Sequence, residues 1–501
     1  MHAADWVVIL FYFLVMVAIG VWSFKMVKGS GDYFVAGGRL PWWLSGASHH
    51  VSGYSGVVFT AYAAIAYSYG FTIYLWWAVA ITISVILGAH LIAPRWARLR
   101  MKRNIESPLE YLSIRYNLPA QQVMAWSGVL LKVFDVGAKW TAIAILLNGF
   151  TGIPILTGIL LSGGVSLLYI TIGGLWADVW NDFAQFVVQV IAGTVLFVVV
   201  LSKLGGIGAA WTAWDELPPG NSQLFNEPYG VGFFLAFIFI SFFSYNGGTW
   251  NLAQRYIAAP SGPEAKKAAY FSAFLYLIWP LIMFFPMWMS PIFFPNLENP
   301  DQVYVKLTQE FLPAGLVGLV LAGLFAATMS MTSGDINAVS AVITRDILPV
   351  VSNKIRGMDQ TASLRLARYT TLIFTLLTLI IGMNADDFGG VLGLVISWFG
   401  ALIGPVSIPM LLGLLPAFKH SDSTAALSSI AAGLITFIAF KYGFTEASEA
   451  VEVSAPLLAS LVVYVGMGWF NRHKPVPEEV EQLLATLQDD SPSLDQPAVK
   501  A

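Results

Sequence analysis

Long apolar segments are the feature that most restricts the fold of this chain. A helix that crosses the hydrocarbon core of a bilayer needs about 20 mostly apolar residues, and on that rule the chain contains about thirteen such segments. Only 11% of the 501 residues are charged, whereas a soluble domain has about 25%. The sequence therefore predicts an all-α integral membrane protein, with transmembrane helices at residues 6–26, 42–66, 70–94, 121–147, 153–175, 178–202, 232–256, 268–295, 313–343, 367–384, 389–415, 424–440 and 452–471.

The composition also excludes several classes of protein. A net charge of −3 offers no basic surface for nucleic acid. A chain without cysteine has no disulfides, thiolate metal sites or cysteine nucleophile. The HExxH and GxSxG motifs of metalloproteases and hydrolases are absent as well, so we expect no enzyme activity and no catalytic residues.

The distribution of lysine and arginine predicts the orientation of the chain. Twenty of the 26 basic residues fall in one alternate set of loops, and only Lys203, Lys306 and Lys441 fall in the other set. Cytoplasmic loops retain positive charge. We therefore expect an odd number of crossings in the plasma or inner membrane, with the N-terminus outside and the C-terminus in the cytoplasm.

Two of the apolar segments contain stretches that weaken a helix. Residues 44–59 read LSGASHHVSGYSGVVF, and residues 244–249 read SYNGGT. Free backbone carbonyls at membrane depth are tolerated only where they line a cavity or meet an ion. Two such breaks in corresponding segments indicate an inverted-repeat transporter with its site near the midplane. The alternative is that these glycines serve close helix packing.

Five stretches resemble the sodium:solute symporter family, which includes sodium/glucose and sodium/sialic acid symporters. They are residues 31–48, 104–111 (NIESPLEY), 173–185 (GGLWADVWNDFAQ), 254–259 and 323–347. The resemblance implies a leucine-transporter-like fold. The implied parts are a leading helix in residues 1–30, a transport core of two inverted five-helix repeats in 31–420, two trailing helices in 421–474 and a cytoplasmic tail in 475–501, where we expect one short amphipathic helix followed by disorder.

The same resemblance implies a sodium site between the first break and the segment at 313–343. It assigns the backbone carbonyls of Val51, Tyr54 and Ala327 and the hydroxyl of Ser330 to the ion. Ala327 and Ser330 are three residues apart and therefore share a helix face. The family usually has a second hydroxyl directly after the first, but this chain has Met331 there, so one oxygen ligand is lost.

Some family members have a second sodium site, which the resemblance places on Asp182 and Ser333. A further hydroxyl position of that site is Gly334 in this chain. A carboxylate inside a membrane segment is a functional candidate by default, although Asp182 could instead pair with a lysine or cap a helix. Thr332 and Asp335 are alternative ligands if the register differs. The expected cofactor is one or two transported sodium ions, with a proton acting through Asp182 as the alternative.

The substrate is expected beside the first break. Sugar-binding members of the family have charged and polar contacts there, and this chain has mainly apolar and aromatic residues at those positions. Aromatic faces stack on sugars or attract organic cations, but each tryptophan alone is equally compatible with packing or lipid contact. The candidate contacts are Ser55, Val58, Trp77, Thr249, Trp250, Tyr276, Ser397, Trp398 and Phe399.

Three charged residues, Lys132, Asp135 and Lys139, share one face of the fourth apolar segment. They form either a network that contacts a polar or anionic substrate or a structural salt bridge that pairs with Asp182. The predicted function is sodium-coupled symport of a small polar solute, preferably a sugar or glycoside. The alternative is sodium- or proton-coupled symport of an amino acid, sialic acid or other carboxylate. The expected partners are this solute and the lipid bilayer, with no nucleic acid and no obligate protein partner.

Overall fold

This computed structural model describes residues 1–385, 404–443 and 449–490, and most of these residues are helical. These ranges contain no β-strand. Nine of the helical spans found in them are long and apolar enough to cross a membrane. The helices, numbered in chain order, are α1 (Ala3–Ser23), α2 (Ser30–Val35), α3 (Trp42–Val51), α4 (Ala61–Tyr69), α5 (Ala80–Leu91), α6 (Ala93–Arg103), α7 (Leu112–Arg115), α8 (Leu118–Thr151), α9 (Ile155–Lys203), α10 (Ile207–Thr212), α11 (Val231–Phe243), α12 (Asn251–Ile257), α13 (Gly262–Phe293), α14 (Val303–Phe311), α15 (Leu316–Val342), α16 (Leu348–Val351), α17 (Asn353–Arg356), α18 (Gln360–Met383), α19 (Gly404–Leu412), α20 (Ser423–Gly443), α21 (Glu449–Phe470) and α22 (Glu478–Thr486).

Helix α9 combines two of the predicted segments. Its 49 residues span roughly 74 Å at 1.5 Å per residue, more than twice the thickness of a bilayer core. Gly174 interrupts the helix with a φ of 52° and a ψ of −142°, and a Cβ there would lie 2.4 Å from the carbonyl oxygen of Tyr33. The kink at Gly174 therefore separates two helices, as the sequence predicts, although the total of thirteen crossings stays a prediction.

Helix α15 lies at the centre of the helix packing. It contacts α9, α1 and α8, and α3 packs between α9 and α13. Between Val320 and Val342 every residue of α15 is buried except Met331, which keeps part of its surface exposed. Because lipid is as apolar as leucine, this degree of burial comes from close packing between helices.

The C-terminal helix α22 docks onto α6 and places two predicted cytoplasmic regions on one side of the molecule. Arg98 forms an ion pair with Asp490, at 2.8 and 2.6 Å, and donates to the carbonyl of Leu487. A second ion pair joins Lys419 to Glu481 at 3.3 Å. The predicted amphipathic helix is thus present, and the disorder predicted beyond it lies outside the described residues.

Candidate functional site

The first predicted break follows α3. This helix ends at Val51, a short 3₁₀ turn covers Gly56–Phe59, and α4 begins at Ala61. A Cβ on Gly53 would lie 1.6 Å from the hydroxyl oxygen of Tyr276. Glycine is therefore required at that point, because the side chain of another helix reaches the backbone of the break.

In residues 50–54, where α3 ends, three backbone carbonyls accept a hydrogen bond from a side chain of another segment, and two do not. The carbonyls of Val51 and Tyr54 accept no hydrogen bond from any residue that the structure describes. A buried carbonyl without a donor is costly, so these two positions are suited to an ion. The satisfied carbonyls are those of His50 (Tyr276 hydroxyl, 3.0 Å), Ser52 (Asn251 amide, 3.4 Å) and Gly53 (Tyr245 hydroxyl, 2.8 Å).

The second predicted break lies between α11 and α12. A π-helical turn spans Ser244–Gly248, and the φ angles of Gly247 and Trp250 are 126° and 59°. The indole of Trp250 lies against Gly128 of α8, where a Cβ would be 2.1 Å from the ring. A tryptophan rarely adopts a positive φ, so close packing on Gly128 holds the chain in this unusual turn.

Asp182 is the centre of the buried polar network beside the first break. Its Oδ1 accepts a hydrogen bond from Ser330 at 2.5 Å, and its Oδ2 accepts bonds from Ser48 and from Ser52, the latter at 3.2 Å. The hydroxyls of Ser52 and Ser330 are 3.1 Å apart. These residues are all fully buried. Because they belong to α3 and its end, to α9 and to α15, three helices meet at one carboxylate.

Arg255 and Asp178 complete this network. Neither residue was among the site residues predicted from the sequence. Arg255 Nη2 lies 2.6 Å from Asp178 and 3.0 Å from Asp182. Ser333, expected beside Asp182, donates to Asp178 instead. Asp178 lies one helical turn before Asp182 and so shares its face, a spacing that could have revealed it. Arg255 lies in α12, inside the predicted segment at 232–256, and its buried charge is paired with two carboxylates.

Gly334 leaves room for the guanidinium. A Cβ at this position would lie 2.8 Å from Arg255 Nη2 and 3.0 Å from Nη1. The hydroxyl side chain that the family resemblance suggests here would therefore collide with Arg255. The absence of a side chain at Gly334 therefore allows Arg255 to occupy its position.

The charged stripe on α8 forms a closed ion cluster with α15. Lys139 lies 2.8 Å from Asp135 and 2.6 Å from Asp335. Lys132 lies 3.3 Å from Asp135 and also pairs with Asp335. Two positive and two negative charges compensate each other in a buried position. This arrangement favours the structural interpretation, with Asp335 and not Asp182 as the partner.

Two of the aromatic candidates, Trp77 and Tyr276, lie next to the break together with Tyr54. The ring of Trp77 lies 6.0 Å from that of Tyr54 and 6.2 Å from that of Tyr276. His50 contacts both tyrosines, with ring centroids 5.2 and 4.6 Å apart. We call Tyr54, Trp77, Tyr276 and His50 the aromatic cluster. It flanks the polar network of Asp182, because His50 and Tyr54 lie two residues before and after Ser52 in the chain.

The other substrate candidates have separate positions. Trp250 makes no ring contact with the aromatic cluster in the part of the chain that is described, and Thr249 donates to the carbonyl of Ser244 at 3.2 Å. The Ser55 hydroxyl accepts from the N–H of Val57, and Val58 is buried. The predicted contacts at Ser397, Trp398 and Phe399 lie outside the described residues.

The interrupted helices define the class of the protein. Helix breaks that expose backbone carbonyls beside a buried carboxylate are the device by which secondary transporters bind ions and solutes at the midplane. The fold and the site together are those of a secondary active transporter.

Comparison with known proteins shows the family. The family model described as the sodium:solute symporter family matches residues 33–433, and the chain belongs to this family. It is therefore a sodium-coupled solute symporter and not an enzyme. The predicted resemblance, the transport class and the use of sodium are confirmed.

Several curated proteins are similar over most of the chain. The sodium/glucose cotransporter of Vibrio parahaemolyticus is 28% identical over 68% of each chain. The sodium/sialic acid symporter of Aliivibrio fischeri is 25% identical over 97% of each. The human sodium/iodide cotransporter is 27% identical over 86% of this chain and 68% of its own length.

Solved structures share the fold. A substrate-bound, outward-open sodium-coupled sialic acid symporter superposes with a TM-score of 0.82 at 21% identity, over 95% of this chain and 99% of its own. A nucleobase-cation-symport-1 family transporter in a closed conformation gives a TM-score of 0.56 at 15% identity, over 92% and 100%. The all-α transporter fold is confirmed.

Proposed function

We propose that this symporter carries a neutral polar solute, a sugar or glycoside, together with sodium bound between the break after α3 and helix α15. One observation supports this ion position above all. The carbonyls of Val51 and Tyr54, which the resemblance assigns to sodium, accept no hydrogen bond from the described residues, whereas the neighbouring carbonyls of His50, Ser52 and Gly53 do. They lie in the same break as Ser52, which contacts both Asp182 and Ser330.

The two oxygens of Asp182 have different roles in this proposal. Oδ2 accepts from Ser48, Ser52 and Arg255, whereas Oδ1 accepts a single bond from the described residues, that of Ser330. Hard cations bind oxygen ligands, so sodium approaches from the Oδ1 side. Arg255 compensates one of the two carboxylate charges when sodium leaves, which reduces the cost of the buried charge that remains.

The charges near the site favour a neutral solute. Both lysines that could have bound an anionic substrate, Lys132 and Lys139, are paired with Asp135 and Asp335. Arg255 is committed to carboxylates as well. The aromatic cluster then supplies the solute contacts, as flat apolar surfaces for a pyranose.

Sialic acid, or another carboxylate, is the second candidate. The relative from Aliivibrio fischeri, described as a sodium/sialic acid symporter, matches 97% of this chain. A carboxylate substrate would have to recruit a cation that this structure holds in an ion pair. It would therefore require rearrangement of the lysine cluster or of Arg255.

Uptake into proteoliposomes distinguishes the two candidates. Labelled neutral hexoses and labelled sialic acid are supplied with an inward sodium gradient, and choline replaces sodium in the control. We expect sodium-dependent accumulation of a hexose. Accumulation of sialic acid alone would contradict the neutral-solute proposal, and uptake that follows a pH gradient and ignores sodium would contradict the coupling.

Neighbouring tryptophans provide a matched pair of variants for the aromatic cluster. Trp77 lies in the cluster, whereas Trp76 stacks on Tyr229 and meets Phe233 edge to face outside it. Aromatic contacts contribute about 0.5–1.5 kcal/mol, so Trp77→Phe is expected to raise the KM for the solute roughly two- to tenfold. Trp76→Phe is expected to leave it unchanged. Equal effects of the two substitutions would argue against solute contact by the cluster.

The orientation is part of the proposal. We infer that the N-terminus lies outside and α22 lies in the cytoplasm, because the basic residues concentrate on the side that carries α22. The ion pair between Arg98 and Asp490 supports this grouping, since both partners belong to regions with the same predicted location.

A further inference from the structure

A basic cavity lies where α1 ends, apart from the ion and substrate site. Its volume is about 360 Å³, and it is lined by Lys25, Met26, Lys28, Arg39 and Trp176. The first four residues belong to the segment that links α1 to α3, and Trp176 follows the kink of α9. The transport mechanism uses none of them.

The cavity carries an excess of positive charge. Arg39 is paired with Asp32 at 2.6 Å. The side chains of Lys25 and Lys28 form no ion pair with the residues that the structure describes. The lining therefore presents two uncompensated ammonium groups to any anion that enters.

Trp176 forms an apolar part of the cavity wall. The side chain is only 8% exposed, and its indole N–H is buried, with no acceptor among the described residues. The ring therefore bounds the cavity beside the two ammonium groups, and the lysines alone supply its polar contacts to an anion.

The surroundings identify the source of such an anion. Trp22 and Phe24, at the end of α1, are 46% and 49% exposed, and the Arg368 guanidinium lies 5.0 Å from the Phe24 ring centre. Exposed aromatic residues at a helix end mark the membrane–water interface. Basic pockets at this level bind the headgroups of anionic lipids.

We propose that this cavity binds the phosphate group of an anionic phospholipid. The ammonium groups of Lys25 and Lys28 compensate the phosphate charge, and the ring of Trp176 bounds the site. The acyl chains extend along the exposed faces of Trp22 and Phe24. The lipid thereby ties the end of α1 to the kink of α9.

Native mass spectrometry of the full chain in detergent tests this proposal, with phosphatidylglycerol and phosphatidylcholine as probes. The double variant Lys25→Gln and Lys28→Gln removes both charges and keeps most of each side chain. Lys266→Gln and Lys267→Gln is the matched control, because it removes two lysines from the loop before α13. Trp176→Phe removes the N–H and keeps an aromatic ring.

We expect one tightly bound phosphatidylglycerol on the unmodified chain and the Lys266/Lys267 variant, and no comparable binding of phosphatidylcholine. The Lys25/Lys28 variant should bind phosphatidylglycerol roughly thirtyfold more weakly, which corresponds to about 1 kcal/mol per lysine. Trp176→Phe should change binding little, because the indole N–H is buried. Equal losses in the two lysine variants would overturn the proposal.

A second arm separates lipid from soluble phosphate. Sodium phosphate at millimolar concentration is added to lipid-free protein, and thermal unfolding is followed with sodium chloride of equal ionic strength as reference. We expect no stabilisation by phosphate. Stabilisation that disappears in the Lys25/Lys28 variant would overturn the lipid as occupant and assign the cavity to a soluble phosphate. Sodium-dependent uptake by each variant establishes that it is folded.

Discussion

Replacement of either aspartate on α9 by asparagine tests which carboxylate binds sodium. Asp178 and Asp182 are both fully buried, and both pair with Arg255. Asp178→Asn and Asp182→Asn each remove one charge and leave Arg255 one carboxylate. The two variants should therefore affect folding to a similar extent. A difference between their sodium dependences then shows which carboxylate lies closer to the ion.

The magnitude follows from the contacts of Asp182. Loss of the charge on Oδ1 removes a charge-assisted ligand, and such interactions contribute about 1.5–3 kcal/mol. The sodium concentration for half-maximal uptake should therefore rise roughly ten- to hundredfold in Asp182→Asn. Asp178→Asn leaves Asp182 and Ser330 in place, so its shift should stay within about threefold, or ~0.7 kcal/mol.

The assay is solute uptake into proteoliposomes at saturating solute, with sodium varied against choline. Sodium-dependent thermal stabilisation of the purified variants measures ion binding without transport. A larger shift in Asp178→Asn than in Asp182→Asn would move the ion towards Ser333 and refute the assignment. Unchanged sodium dependence in both variants would refute the site as a whole.

Three further predictions concern two positions of α15 and the orientation of the chain. Met331→Ser restores a hydroxyl on a partly exposed position of α15 and should tighten apparent sodium affinity about tenfold, measured by uptake, whereas weaker binding would indicate that Met331 is a packing residue. Gly334→Ser forces a Cβ to within 2.8 Å of Arg255 and should lower the free energy of unfolding by about 1–3 kcal/mol, measured in detergent; an unchanged midpoint would contradict the close approach. Lys203 and Lys306 should react with a membrane-impermeant amine reagent in sealed, right-side-out cells, and protection of both would reverse the proposed orientation.

The apolar segments and the two helix breaks were predictable from the sequence. The hydropathy of a segment depends only on its own residues, and glycine and serine weaken a helix at their own positions. The breaks at 44–59 and 244–249 therefore appear in the structure at the expected places. Asp182 was also identifiable, because a carboxylate in an apolar segment stands out without knowledge of its partners.

The partners of the buried charges were decided by the tertiary structure alone. Asp182 pairs with Arg255, and the lysines of α8 pair with Asp335. The sequence was equally compatible with a pairing between those lysines and Asp182. The members of each pair are far apart in the sequence, and their contact depends on how whole helices pack. A charge buried in a membrane protein must find a partner, but which partner it finds is a property of the assembled helices and not of any one segment.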